Sequence, residues 1–292
     1  MQIAFIGFGE AASAFVKGWA GQGHNIAAYD IKSADPSTGE EIAERTRHFG
    51  VRNAPTLKEA MTGADLVFST VTADQAVAAA QSAAPHMPQG AVFCDLNSCA
   101  PGSKRGSAAV IEAGGGRYVD VAVMEPVYPE LNMVKSLISG PHATDIEAVL
   151  TELPMSVRPV GDEVGRASAI KMIRSIMVKG MEALTAECVM AAVAAGVADE
   201  VLPSLLGGHP KIDVSERAAY NFERSLRHGE RRAAEMEEVA ATLTELGLPN
   251  GMSAASVEWQ RLIAASGIDL PDEPSDAQAI ARALLPSLKR ES

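Results

Sequence analysis

Short apolar runs alternate with helical patterns through the first half of the chain. Runs that are apolar at nearly every position predict buried strands at 2–6, 25–30, 64–71, 91–96, 117–124, 135–139 and 156–160. Helical patterns lie between them, for example at 75–84 and after Pro101 and Thr144. Uninterrupted apolar runs are typical of parallel strands that are covered on both faces of a sheet. We therefore expect an α/β fold with a doubly wound, mostly parallel sheet.

After Gly161 the pattern changes to helix alone. One long helical segment covers 164–195, and further helices are predicted at 199–206, 215–228, 231–246 and 252–265, before a Pro-Asp-Glu-Pro linker at 271–274 and a short last helix. This change predicts two domains, an α/β domain at 1–162 and an all-helical domain at 163–292. The long helix is apolar on more than one face, which indicates burial between two domains or two subunits. A homodimer is therefore predicted.

The first strand leads directly into a glycine-rich turn. Its residues are Gly7, Phe8, Gly9, Glu10, Ala11 and Ala12. This is the G-x-G-x-x-[G/A] spacing of a dinucleotide-binding strand–turn–helix unit. Gly7 permits the tight turn, Gly9 lacks the Cβ that would collide with a pyrophosphate, and Ala12 lets the helix pack closely on the strand. The free N–H groups of that helix are then expected to face the phosphates.

Asp30 ends the second strand about twenty residues after the glycines, where a carboxylate can accept hydrogen bonds from the adenosine ribose. With its neighbours Ile31 and Lys32, it is predicted to contact the cofactor. Its charge would repel a 2′-phosphate and so favours NAD, whereas Lys32 and Ser33 leave NADP open. The alternative is an ordinary aspartate that turns the chain after the strand.

Two later strand ends carry small polar residues. They are Thr70, Val71 and Thr72 after one strand, and Asn97 and Ser98 after the next. Ligands of open parallel sheets bind at the carboxyl ends of the strands, so these residues are predicted to contact the nicotinamide ribose. Helix capping by Thr72 and Ser98 is the alternative.

The composition narrows the choice of partners. The net charge of −12 disfavours nucleic acid and anionic membranes. Cys94, Cys99 and Cys188 have neither metal-ligand spacing nor the pattern of a disulfide framework, which fits a reducing cytoplasm. No stretch has the length of a membrane span, and the sequence begins directly with a strand. A cytoplasmic protein without a metal is predicted.

The long helix carries a motif that resembles the β-hydroxyacid dehydrogenase family, which includes 3-hydroxyisobutyrate and 6-phosphogluconate dehydrogenases. Those enzymes join a Rossmann domain to an all-helical domain through a long helix, on which a glycine-rich lead precedes K-x-x-x-N. The matching stretch here runs from Gly161 to Ser175 and contains Lys171. The resemblance implies that Lys171 is the catalytic lysine. Apolar neighbours would disfavour its charged form and suit general acid–base work, and the alternative is a lysine that reaches solvent.

The chain departs from the family at the residues expected to hold the substrate. Ser175 stands where the family has Asn, and Arg174 precedes it. The family's loop D-x-P-V-S-G-G appears as 120–126, in which Met124 and Glu125 replace the serine and the first glycine. These four residues are predicted to bind the substrate. Glu125 would repel an anion or attract a cation.

His228 is the fifth residue predicted to bind the substrate, and it lies in a charged segment at 228–236. The family carries a second lysine–aspartate pair near this segment, and the equivalent positions here are Ala234 and Glu235. The alternative for the segment is a solvated helix face with an i,i+4 pair between Arg231 and Glu235.

The sequence as a whole predicts an NAD(P)-dependent oxidoreductase that acts on the hydroxyl or carbonyl of a small polar metabolite. Lys171 would be its general acid–base. Because the loop at 124–126 differs from that of hydroxyacid enzymes, imine reduction is one alternative. A non-catalytic NAD(P)-binding redox sensor is the other.

Overall fold

The first half of the chain forms one eight-stranded sheet. The computed structural model describes residues 1–206, 214–269 and 276–288. The strands are β1 Gln2–Ile6, β2 Asn25–Tyr29, β3 Arg52–Asn53, β4 Leu66–Ser69, β5 Val92–Asp95, β6 Arg117–Val123, β7 Ser136–Ser139 and β8 Val157–Pro159. Their order is β3-β2-β1-β4-β5-β6-β7-β8. Only the β6–β7 pair is antiparallel among these pairings, so the expected mostly parallel sheet is confirmed.

Helices cover both faces of this sheet, which explains why its strands are apolar at consecutive positions. Along β1, Ile3 and Phe5 belong to one buried apolar cluster, whereas Ala4 and Ile6 belong to another. The helices of this half are α1 Glu10–Gly18, α2 Gly39–His48, α3 Leu57–Met61, α4 Ala76–Ala83, α5 Pro101–Ala113 and α6 Ala143–Glu152. The predicted α/β fold class is thereby confirmed.

The second half consists of helices throughout its described residues. They are α7 Arg166–Ala195, α8 Ala198–Leu206, α9 Val214–Glu245, α10 Gly251–Ala264 and α11 Ala277–Leu288. Contacts divide the chain into Met1–Met172 and Ile173–Ser292, a division that falls within α7. The domain bounds 1–162 and 163–292 stay a prediction. The predicted linker at 271–274 lies outside the described residues. No helix that the structure describes is long and apolar enough to span a membrane.

The sequence prediction of two helices at 215–228 and 231–246 is wrong, because α9 is one continuous helix. Gly229 lies between the two predicted helices and serves the packing of α9 against α10. A Cβ on Gly229 would lie 2.5 Å from the carbonyl oxygen of Gln260 and 2.7 Å from Cβ of Ala264. The glycine therefore permits the close approach of α10 to α9.

Helix α7 buries polar residues and exposes apolar ones. Ser175, Lys179 and Glu182 are 6%, 5% and 4% exposed, whereas Ile173 and Met177 are 49% and 66% exposed. Ile173 and Met177 are therefore not buried within the single chain, and burial of this side of the helix against a second subunit stays a prediction. Burial of charged residues requires partners, and here Lys179 pairs with Glu235 while Glu182 pairs with Arg232.

Candidate active site

The glycine turn after β1 adopts the geometry that its spacing predicts. Gly7 has a φ of +82°, a left-handed conformation that favours glycine. A Cβ at this position would lie 2.8 Å from the carbonyl oxygen of Thr70 and 2.9 Å from Cγ1 of Val71. Thr70 also fixes the turn, because its hydroxyl donates to the Gly7 carbonyl at 2.7 Å. Thr70 thus stabilises the glycine turn by contacts within the protein.

Gly9 differs from Gly7 because the space beside it is open. A Cβ on Gly9 would meet no atom within 4 Å. Gly9 is the N-cap of α1, and no side chain caps this helix. Ala12 is fully buried, while Glu10 is exposed and Ala11 half-buried in the first turn. The bare backbone and uncapped N–H groups fit the pyrophosphate of a dinucleotide.

Asp30 lies beside this turn and is bound to it. Its Oδ2 accepts from the Phe8 N–H at 2.8 Å, and its Oδ1 accepts from the Lys32 N–H at 2.9 Å. The turn-forming alternative for Asp30 is therefore observed, and the carboxylate retains lone pairs that can accept from a ribose. The Phe8 side chain is fully buried, so only its backbone can face a ligand. Ile31 is 76% exposed and Lys32 is also exposed.

Arg45 on α2 is a member of this site that the sequence reasoning missed. Its Nη1 donates to the Phe8 carbonyl at 3.0 Å, and its Nη2 contacts Glu41 one helical turn earlier. The two ends of the Arg45–Phe8 bond are 37 residues apart. No local spacing signals a contact of this kind.

The ends of β4 and β5 are tied to one another. The Asn97 side chain accepts from the Val71 N–H at 2.7 Å and donates to the Ser69 hydroxyl at 2.9 Å. Asn97 is only 3% exposed, so its amide is used mainly for these hydrogen bonds within the protein. Thr72 precedes a short 3-10 turn but makes no side-chain cap there, so that alternative is not observed.

Lys171 contacts the end of β5 from the first turns of α7. Its Nζ donates to the Ser98 hydroxyl at 2.6 Å, and the residue is half-buried. The helix that follows Ser98 has Ala100 as its N-cap, so Ser98 is not the N-cap residue. Both residues belong to the unit Met1–Met172. The structure thus places the predicted lysine at the same sheet edge as the glycine turn.

A fully buried charge cluster lies behind this edge and was not predicted. Lys104 Nζ is 2.9 Å from Asp95 Oδ1 and 3.4 Å from Asp120 Oδ1, and the Tyr118 hydroxyl donates to Asp95 Oδ2 at 2.7 Å. Burial alone would lower the pKa of Lys104, but the charges of Asp95, Cys99 and Asp120 raise it above its usual value. Burial and then the two carboxylates raise the pKa of Tyr118 well above its usual value, so the phenol stays a donor.

Two of the predicted substrate residues follow β6. Met124 is half-buried and packs against a small apolar cluster that includes Ala167 in the first turn of α7. The Glu125 side chain is 42% exposed, and its Oε1 lies 3.5 Å from Nζ of Lys135. The predicted repulsion of anions by Glu125 is therefore partly offset by this neighbouring cation.

The other three predicted substrate residues belong to the unit Ile173–Ser292. Arg174 is exposed, and His228 is half-buried on α9. Ser175 is buried, and its hydroxyl accepts from Lys179 Nζ at 3.3 Å. That amine also lies 2.5 Å from Glu235 Oε2. Glu235 therefore has a lysine partner. That lysine is Lys179 on α7, and not the residue before Glu235 in the sequence, where the family carries its lysine.

The charged segment at 228–236 is only partly solvated. Arg231 is exposed and lies 3.8 Å from Glu235 across one helical turn, as the solvated-face alternative predicts. Arg232 is buried and pairs with Glu182 on α7, which also accepts from Gln260 at 3.2 Å. The segment therefore contributes an interior ion pair as well as a surface pair.

Comparison with known proteins agrees with this geometry. Residues 2–149 match the NAD binding domain of 6-phosphogluconate dehydrogenase. Residues 192–263 match a domain of unknown function, DUF1932. The divergent helical half thus has a family of its own, to which no activity is attached.

Solved structures extend the likeness over the whole chain. A conserved hypothetical protein from Sinorhizobium meliloti 1021 is 37% identical, with a TM-score of 0.75 over 98% of this chain and 96% of that one. At 17% identity, 3-hydroxyisobutyrate dehydrogenase from Mycobacterium tuberculosis shares the fold, with a TM-score of 0.74 over 97% and 98%. An imine reductase from Myxococcus stipitatus in complex with NADP⁺ shares it at 19% identity, with a TM-score of 0.54 over 98% and 100%. The glycine turn, the Asp30 carboxylate and these matches show that the chain belongs to the family of the NAD binding domain of 6-phosphogluconate dehydrogenase.

Proposed function

We propose that this protein is an NAD(P)-dependent oxidoreductase in which Lys171 exchanges a proton with the substrate. The supporting observation is a continuous series of contacts along the carboxyl edge of the sheet. Thr70 donates to the Gly7 carbonyl, and Val71, which follows Thr70, donates its N–H to Asn97. Ser98, which follows Asn97, accepts from Lys171 Nζ. A dinucleotide on the glycine turn would therefore extend towards the lysine.

The chain's own residues have distinct parts in this proposal. Gly9 and the first N–H groups of α1 hold the pyrophosphate, and Asp30 accepts from the adenosine ribose. The bound nicotinamide supplies hydride transfer. Lys171 Nζ takes the proton from a substrate hydroxyl, or returns it to the carbonyl oxygen in the reduction, while Ser98 fixes the direction of the amine.

NAD is the cofactor that we expect the protein to prefer. The Asp30 carboxylate is 9% exposed and lies where a 2′-phosphate would approach the end of β2. The carboxylate and the 2′-phosphate are both negatively charged and would repel each other at close approach. If the protein bound NADP instead, Lys32 and Arg45 are the cations that would pair with its 2′-phosphate.

Imine reduction is the second candidate reaction, and Glu125 favours it. Its exposed carboxylate follows β6, where the family has small residues, and it would attract a cationic iminium in preference to a carboxylate. A panel of small hydroxy acids, aldehydes and amines or imines, offered with each cofactor, separates the candidates. Turnover confined to imines would support this second reaction over the first.

The same panel tests the proposal as a whole. We expect binding of at least one cofactor and turnover of at least one substrate class. Tight cofactor binding without turnover across the panel would contradict the enzyme and support the redox-sensor alternative.

We also propose that the protein is a homodimer in the cytoplasm. The supporting feature is the apolar side of α7, where Met177 and Leu184 are 66% and 49% exposed in the single chain. Apolar surface of this kind is unusual on a monomer. A mass measurement at micromolar concentration tests the dimer, and a single-chain mass would contradict it.

A further inference from the structure

The first turn of α7 is anchored by residues of the sheet. Asp120 on β6 accepts from the Ser168 N–H at 3.0 Å and from the Ser168 hydroxyl at 2.6 Å. Ser139 on β7 accepts from the Ala167 N–H at 3.0 Å and donates to Asp120 at 3.1 Å. A buried carboxylate at a helix N-terminus satisfies N–H groups that the helix leaves unpaired. Asp120 therefore fixes the end of α7 that carries Lys171.

The turn that carries Ser98 is anchored by the other carboxylate of the cluster. Asp95 Oδ1 accepts from the Asn97 N–H at 3.0 Å, and the Asp95 carbonyl accepts from Lys104 Nζ at 2.7 Å. Ser98 follows Asn97 directly. Asp95 therefore fixes the position of the hydroxyl that receives the Lys171 amine.

Lys104 joins these two anchors. Its amine contacts both carboxylates, and all three side chains are fully buried. A buried ion cluster is seldom a gain in stability over apolar side chains of the same size, so its stabilising effect alone does not account for it. Here each carboxylate also accepts a backbone N–H near one member of the Lys171–Ser98 contact, Asp95 from Asn97 and Asp120 from Ser168.

We propose that Asp95, Lys104 and Asp120 are positioning residues that hold the Lys171 amine and the Ser98 hydroxyl within hydrogen-bond distance. Asp120 acts through the first turn of α7, Asp95 acts through the turn after β5, and Lys104 couples the two. The inference rests on the proposed role of Lys171. The inference explains what holds that lysine in its position.

Serine variants test the anchoring of α7 at Asp120 without leaving a buried charge unpaired. Ser168→Ala removes one hydroxyl bond to Asp120, and Ser139→Ala removes the acceptor of the Ala167 N–H. Ser107→Ala is the matched control, because Ser107 is fully buried on α5 and its hydroxyl has no partner. The readout is the rate at which acetic anhydride labels Lys171 at one fixed pH, followed by peptide mass spectrometry.

The labelling results decide the proposal. In Ser168→Ala and Ser139→Ala we expect the labelling rate of Lys171 to rise at least threefold, since its Nζ would lose the fixed contact with Ser98. Exposed Lys58 on α3 should be labelled at an unchanged rate. Ser107→Ala should leave Lys171 unchanged. Unchanged labelling of Lys171 in folded Ser168→Ala and Ser139→Ala, or an equal change in Ser107→Ala, would overturn the proposal.

Native-state hydrogen exchange of the unmodified protein gives a second test that needs no variant. If the cluster couples its two anchors, peptides covering 92–98 and 166–171 should become exchangeable at the same urea concentration. Exchange of 166–171 in a separate, earlier step would overturn the coupling. Neither readout uses turnover, so loss of the proposed activity and loss of the positioning role remain distinguishable.

Discussion

Gly7 and Gly9 should respond in opposite ways to the same substitution by alanine. At Gly7 the backbone is left-handed, which costs roughly 1–2 kcal/mol for a residue with a Cβ. The Cβ would also lie 2.8 Å from the Thr70 carbonyl oxygen, so the turn must shift. We expect Gly7→Ala to destabilise the protein by about 2–3 kcal/mol in total.

At Gly9 the same Cβ meets no protein atom within 4 Å, and the φ of −94° suits any residue. Gly9→Ala should therefore change stability by no more than about 0.5 kcal/mol, because the weaker N-cap is offset by the lower entropy of the unfolded chain. The methyl group would instead occupy the space for the pyrophosphate. Loss of one or more hydrogen bonds to a charged group is worth about 1.5–3 kcal/mol, or roughly tenfold to a hundredfold in Kd.

Two measurements on each variant separate these effects. Thermal unfolding followed by circular dichroism should show a lowered Tm for Gly7→Ala and a Tm close to that of the unmodified protein for Gly9→Ala. Isothermal titration with NAD⁺ and NADP⁺ should show weakened binding for Gly9→Ala. Undiminished affinity of folded Gly9→Ala for both cofactors would refute the placement of the pyrophosphate at this turn.

Three further substitutions test other parts of the structure. Asp30→Ala, which also removes the acceptor of the Phe8 N–H, should lower the preference for NAD⁺ over NADP⁺ by about tenfold in titrations, and an unchanged ratio would contradict the role of its charge. Glu182→Ala leaves buried Arg232 without its carboxylate and should cost about 3–5 kcal/mol in urea unfolding, whereas a loss below ~1 kcal/mol would argue against a buried pair. Met177→Glu places a charge on the apolar side of α7 and should convert a dimer to a monomer in light scattering, an outcome contradicted by an unchanged dimer mass.

The parts of the fold that the sequence predicts correctly are those with local signals. The strand at 2–6, the glycine turn and the strand at 91–96 each combine a continuous apolar run with a marked end. They appear as β1, the turn at Gly7 and β5. Lys171 lies on the helix that carries the motif, whereas its contact with Ser98 joins positions 73 residues apart and was not predicted.

The parts that were missed depend on contacts between distant positions. Asp95, Lys104 and Asp120 have no common spacing, and a lysine in a Ser-Lys-Arg-Gly stretch has the composition of an exposed helix face. Arg45 reaches Phe8 across 37 residues. The continuity of α9 through Gly229 was also missed, because the glycine is explained by the close approach of α10, which is a tertiary contact. Local propensity does not encode such contacts.

The central claim is that Lys171 carries the proton of an NAD(P)-linked reaction, and the most direct test is the turnover of Lys171→Met. This substitution keeps the unbranched, flexible character of the side chain and removes the amine. Lys58→Met on the exposed face of α3 is its matched control. We predict that kcat falls at least about 100-fold in Lys171→Met, with unchanged cofactor Kd, and stays unchanged in Lys58→Met. Equal kcat values for Lys171→Met and the unmodified protein would contradict the account.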